Sequence, residues 1–69
     1  MRIGRIVHVD EEARAGRLVC REDAREFPFD VESVQIDDLD HLDTGAEFHF
    51  QVLTSDLGGA RAVCLRRAA

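Results

Sequence analysis

Residues 48–52 read Phe-His-Phe-Gln-Val, and this stretch decides the fold class. Its apolar side chains alternate with a histidine and a glutamine. Because successive side chains of a β-strand point to opposite faces, the alternation predicts a strand with one buried face. The same period of two recurs in residues 16–20, 27–31 and 60–65. Residues 5–9 are apolar and β-branched but alternate less cleanly, which indicates a bulge or burial on both faces.

Turn-forming residues separate the predicted strands. Residues 10–14 are polar, residues 22–25 suit a short hairpin loop, and Leu57-Gly58-Gly59 supplies the permissive backbone of a tight turn. Five short strands with a longer link between the third and the fourth predict a small five-stranded antiparallel barrel of the OB type, an all-β fold. We expect it to form a single domain over residues 1–69.

The link between strands three and four has a different spacing. Its apolar residues Ile36, Leu39 and Leu42 fall three apart, which predicts a short helical turn packed across one end of the barrel. Asp37 and Asp38 stand near the start of this turn, where the helix dipole favours carboxylates.

The parity of the apolar positions also predicts the core. The side chains expected inside the barrel are Ile6, Leu18, Phe27, Phe29, Phe48 and Phe50. Pro28 lies within strand three and is expected at a sheet edge, because proline has no N–H for a central ladder. Cys20 and Cys64 show no metal-type spacing and are expected to be reduced, half-buried strand residues.

Charge is unevenly distributed along the chain. The net charge is −5, yet residues 1–21 carry +2, residues 22–56 carry −10 and residues 57–69 carry +3. A segregated charge pattern of this kind can present a local basic face on an acidic protein. No apolar run approaches the roughly 18 residues of a membrane span, and the N-terminal residues lack the apolar stretch of a signal peptide. A cytoplasmic location away from membranes is therefore expected.

Five motifs resemble the bacterial cold-shock domain in order and spacing, over roughly residues 4 to 65. They are Gly4-Arg5-Ile6-Val7, Gly16-Arg17-Leu18, Glu26-Phe27-Pro28-Phe29, Leu42-Asp43-Thr44-Gly45 and Gly58-Gly59-Ala60-Arg61-Ala62. The resemblance implies binding of single-stranded RNA or DNA, whose bases that family stacks on aromatic rings of strands one to three.

Most of those rings are absent from this chain. Ala15 and Arg17 replace the aromatics of the first motif, and Pro28, Asp30 and Val31 replace those of the second. We therefore expect a weakened or altered affinity. The candidate binding residues are Arg5, Arg14 and Arg17, which could meet phosphates, and His8, which stands where the family has a tryptophan and could stack on a base.

Two alternatives remain open at this point. The barrel could bind a protein partner instead, through the acidic stretch 37–43 or an exposed apolar patch around Val7, Val19 and Val31. Residues 44–63 are also similar to the end of bacterial translation initiation factor one, another OB-fold. A monomer or weak dimer is expected under each reading.

No enzymatic chemistry is indicated by the sequence. The carboxylates at 38, 40 and 43 do not have the spacing of a calcium-binding EF-hand loop, and no phosphate loop or nucleophile with a nearby histidine is recognisable. We expect neither a metal nor another cofactor.

Overall fold

The computed structural model describes residues 1–68 as five strands with two short 3-10 helices between the third and the fourth. The strands are β1 (Arg2–Asp10), β2 (Ala15–Cys20), β3 (Glu26–Asp30), β4 (Glu47–Thr54) and β5 (Ala60–Arg67). The helices span Val31–Ser33 and Ile36–His41. Tight turns join β1 to β2, β2 to β3 and β4 to β5, as the polar and glycine-rich stretches predict.

The strands form one antiparallel sheet in the order β3-β2-β1-β4-β5, and the sheet curls until its two edges meet. The Asp30 carboxylate of β3 lies 3.8 Å from the Arg61 guanidinium of β5. Just beyond β3, Val34 pairs in parallel with Leu65, and Gln35 donates a backbone hydrogen bond of 2.8 Å to the Leu65 carbonyl. The predicted five-stranded barrel with a helical link is confirmed.

The barrel interior is apolar. The buried side chains are Ile6, Leu18, Cys20, Phe27, Phe29, Val34, Phe48, Phe50, Ala62 and Leu65, which include all six of the predicted core. The rings of Phe27 and Phe50 contact each other in a tilted arrangement, with centroids 5.8 Å apart and planes at 53°. Such pairs add to the free energy of area burial because the positive edge of one ring meets the negative face of the other.

A β-bulge lies in β1 at Val7. Ile6 pairs with Leu18, but His8 pairs with Arg17, so one residue of β1 has no partner in β2. This bulge explains why residues 5–9 do not alternate cleanly. Its consequence is a change of parity, since His8 would otherwise share the inner face with Gly4 and Ile6. The bulge exposes His8 and packs Val9 against the core instead.

A second irregularity corrects the expectation for Cys64. His49 pairs with Arg66 while Gln51 pairs with Val63, and Cys64 has a left-handed φ of 54°. The extra residue shifts the alternation of β5, so Leu65 is buried and Cys64 is exposed. The prediction of a half-buried Cys64 was therefore wrong. Cys20 was placed on the correct face but is fully buried.

Two further expectations are corrected in the link. Val31 does not continue β3, because it begins the first 3-10 helix. Leu39 and Leu42 pack against the core as predicted, but Ile36 is 79% exposed. Ile36 directly follows Gln35, whose backbone N–H is held by β5, and at this point the chain leaves the barrel wall. The spacing of three alone did not reveal this constraint.

The phenylalanine core is expected to supply most of the stability. Phe50→Ala should lower the free energy of unfolding by roughly 3–5 kcal/mol, because it removes a fully buried ring and leaves a cavity. That loss is comparable with the whole stability of a small domain. Urea denaturation measures it, with Leu57→Ala as the control, since Leu57 is 98% exposed. Equal midpoints for the two variants would contradict the core assignment.

Candidate nucleic-acid interface

Three side chains form a cross-strand row on the outer face of β1, β2 and β3. The register places His8 opposite Arg17 and Arg17 opposite Pro28, and all three are exposed. We call these three side chains the His8 row. They contribute to the lining of a shallow depression of about 280 Å³. The imidazole and the guanidinium are both planar groups on which a nucleic-acid base can stack.

Gly16 makes this row possible. A Cβ atom at position 16 would lie 2.6 Å from the His8 carbonyl oxygen and 2.6 Å from Cζ of Phe29. Real Cβ atoms do not approach other heavy atoms so closely. Only glycine therefore lets β2 run against both the bulged part of β1 and the ring of Phe29. The sequence motif containing Gly16 was noted for its spacing, whereas this packing role becomes visible only in three dimensions.

The other two candidate residues lie elsewhere. Arg5 belongs to the neighbouring cross-strand row and lines a depression of about 380 Å³ that also contains Arg21 and Glu47. Arg14 occupies the β1–β2 turn with a φ of 52°, and its side chain lines a groove beside the second 3-10 helix. The structure thus brings His8 and Arg17 together but distributes the four candidates over three depressions. Within residues 1–68, Arg5 and Arg14 form no salt bridge.

Carboxylates flank the His8 row. Glu26 lies 3.4 Å from the guanidinium of Arg17, and both side chains are about half exposed. On the other side of the row, the register aligns Asp10 with Ala15 and Ala15 with Asp30. These carboxylates oppose phosphate binding because like charges repel. The contact between Glu26 and Arg17 was not predicted from the sequence, although a β2–β3 hairpin places Glu26 diagonally across from Arg17.

Two more arginines are held at the opposite end of β2, over the ring of Phe27. The guanidinium carbons of Arg2 and Arg25 lie 5.8 Å and 4.9 Å from its centroid. Arg2 also donates a 3.9 Å hydrogen bond to Cys20 Sγ, and this bond is the main reason that the pKa of Arg2 is raised. The Arg25 backbone N–H donates to Asp23 and lowers the pKa of that carboxyl. These arginines are engaged in packing and lie away from the His8 row.

The valines at positions 7, 19 and 31 are each half-buried, and Val31 lies beyond the end of β3. A depression of about 630 Å³ at the β4–β5 turn contains none of the four candidate residues. In the described part of the chain, no three His, Cys, Asp or Glu side chains are grouped so that they could hold a metal ion. None of the helices formed by residues 1–68 has the length and apolar character of a membrane span.

Comparison with known proteins adds no relative. No protein-family model matches the chain, and a search of the curated proteins finds no match. The resemblance to the cold-shock domain therefore depends on the motifs quoted above and stays a prediction.

Gly16→Ala tests the packing beneath the His8 row. The added methyl group must displace either the His8 carbonyl or the Phe29 ring, and overpacking of this kind costs roughly 1–3 kcal/mol. Gly59→Ala is the matched control, because its Cβ would make only an ordinary 3.4 Å contact with Ser55. We expect a lower unfolding midpoint for Gly16→Ala and a shifted NMR resonance of His8. An unchanged midpoint together with unshifted His8 resonances would contradict this role of Gly16.

Proposed function

We propose that this domain is a cold-shock-like module that binds single-stranded RNA or DNA weakly and mainly through charge. The observation that carries the proposal is the exposed row of His8, Arg17 and Pro28 across β1, β2 and β3. Those are the three strands on which the cold-shock domain displays its stacking rings. The row replaces those rings with an imidazole, a guanidinium and a proline.

The expected affinity follows from what the row retains. Stacking on an aromatic ring contributes roughly 1–3 kcal/mol per base, so the loss of several rings removes most of the binding free energy of a tight complex. His8 and Arg17 each offer one planar surface, and Arg5 in the next row offers a cation to a phosphate. Glu26, Asp10 and Asp30 oppose that attraction. The missing rings and the flanking carboxylates both predict weak binding. Because the remaining attraction is between arginines and phosphates, the binding should also be sensitive to salt.

A cytoplasmic, non-enzymatic role is part of this proposal. Cys20 and Cys64 are both free thiols, one buried and one exposed, which suits a reducing compartment. The domain would act as a monomer or weak dimer, without a cofactor, on single strands that are already unpaired.

Binding of fluorescent oligothymidine and oligouridine at several salt concentrations tests the proposal. With about two phosphate contacts, the logarithm of the association constant should fall with the logarithm of salt concentration at a slope of about −1.4. His8→Ala should weaken binding at every salt concentration, whereas Arg17→Ala should also reduce the slope by about 0.7. Arg66→Ala is the matched control, because Arg66 is an exposed arginine in a different row on β5. The proposal fails if Arg66→Ala weakens binding as much as Arg17→Ala, or if wild type does not bind at low salt.

Glu26→Gln should strengthen binding. The substitution releases Arg17 from its ion pair and removes one negative charge beside the row. Because exposed ion pairs are worth about 0.2–1 kcal/mol, the expected gain in affinity is about 1.4- to fivefold. Asp37→Asn causes the same change in net charge on the second 3-10 helix, outside the row. The gain should be smaller in an Arg17→Ala background, and an equal gain from Asp37→Asn would instead indicate a general effect of net charge.

A further inference from the structure

A groove lined by both aliphatic and charged side chains lies between the β1–β2 turn and the second 3-10 helix. Its volume is about 490 Å³. Four half-buried aliphatic side chains contribute to its lining, namely Val9, Val31, Leu39 and Leu42. Three of these, all except Val31, also pack against the barrel core. The four aliphatic side chains form the floor of the groove, and this floor is therefore continuous with the hydrophobic core. We call this feature the end groove.

The rim of the end groove is mostly negative. Glu11, Asp40 and Asp43 line it and are exposed, and Arg14 is the single cation in its lining. Within residues 1–68, none of these three carboxylates forms a salt bridge or a side-chain hydrogen bond. Unpaired carboxylates around an apolar floor favour a ligand that combines positive charge with an aliphatic side chain, because each part of the ligand finds its complement.

Backbone hydrogen bonds hold the walls of the groove. Val31 donates a 2.9 Å hydrogen bond to the Arg14 carbonyl, which fixes the β1–β2 turn against the end of β3. Ala46 donates to the Asp43 carbonyl at 3.0 Å, and Arg67 of β5 donates its backbone N–H to the Asp38 carboxylate at 3.0 Å. Both ends of the acidic segment are thereby tied to the barrel. A partner would meet a preformed surface and would not need to order it first.

We propose that the end groove binds a segment of a partner protein in which one or two leucine-like side chains are flanked by lysine or arginine. The aliphatic side chains would cover the four half-buried residues of the floor, and the flanking cations would meet Glu11, Asp40 and Asp43. Nucleic acid is disfavoured as the occupant, because its phosphates would face three carboxylates and one arginine. This inference rests on the end groove alone and does not depend on the proposed function of the His8 row.

The test uses the full chain labelled with ¹⁵N and a synthetic hexapeptide whose two central leucines are flanked by arginines. In an NMR titration the peptide should shift the amides of Val9, Val31, Leu39 and Leu42. Replacing the peptide leucines by serines should weaken binding at least about tenfold, since the apolar contact is lost. Replacing the arginines by glutamines should weaken it about fivefold, as expected for the loss of exposed ion pairs.

Two double variants of the protein distinguish the effect of the rim carboxylates on peptide binding from the effect of net charge. Asp40→Asn combined with Asp43→Asn should weaken peptide binding about fivefold. The control combines Asp37→Asn with Asp56→Asn, which changes the net charge equally but lies outside the groove lining. The proposal is overturned if millimolar peptide leaves the groove amides unshifted, or if both double variants respond alike. It is also overturned if the serine peptide binds as well as the leucine peptide, or if oligothymidine shifts the groove amides more strongly than the peptide does.

Discussion

The close approach of β1 and β2 at Gly16 is the constraint on which the outer face depends. The absence of a side chain at Gly16 lets the His8 carbonyl and the Phe29 ring occupy space that a Cβ would need. Next to this contact, β1 accommodates its extra residue at Val7. Without that residue, strict alternation would turn His8 into a barrel already filled by Ile6 and the phenylalanines. One bulge therefore both preserves the apolar core and creates the exposed row.

The charges of β3 serve the fold and oppose the proposed ligand at the same time. Asp30 pairs with Arg61 across the seam where β3 and β5 meet, and Glu26 pairs with Arg17 across the β2–β3 hairpin. Each is an exposed pair, and such pairs contribute little to stability. Under the proposed function their larger effect would be on binding, since each pair occupies a guanidinium that a phosphate could otherwise use. The proposed weak affinity would therefore have two causes, the missing rings and the paired arginines.

Period-two patterning predicted the strands and the six expected core residues because burial on one face imposes that period directly. It failed where the backbone departs from the regular ladder. Cys64 adopts a left-handed φ without being glycine, so its residue type gave no signal of the bulge that exposes it. His8 was identified through its position in a family motif, and its own parity would have buried it. Arg14 lies in the β1–β2 turn and lines the end groove, whereas Arg17 lies in the His8 row. The spacing of the two residues in the sequence does not specify the path of the turn between them.

The β1–β2 turn divides two surfaces of opposite character. On one side lies the His8 row, with Arg17 in the row and Arg5 in the next row of the same face, and on the other lies the acidic end groove. Asp10 and Asp30 lie in the row nearest the turn, whereas the row on the other side holds Arg5 together with Glu26. A single strand bound at the His8 row would therefore run toward Arg5 and away from Asp10 and Asp30, because that row offers its phosphates two carboxylates, whereas the row of Arg5 offers one cation beside one carboxylate. This path leaves the end groove uncovered, and a nucleic acid and a basic protein segment could occupy the same barrel without competing for a single side chain.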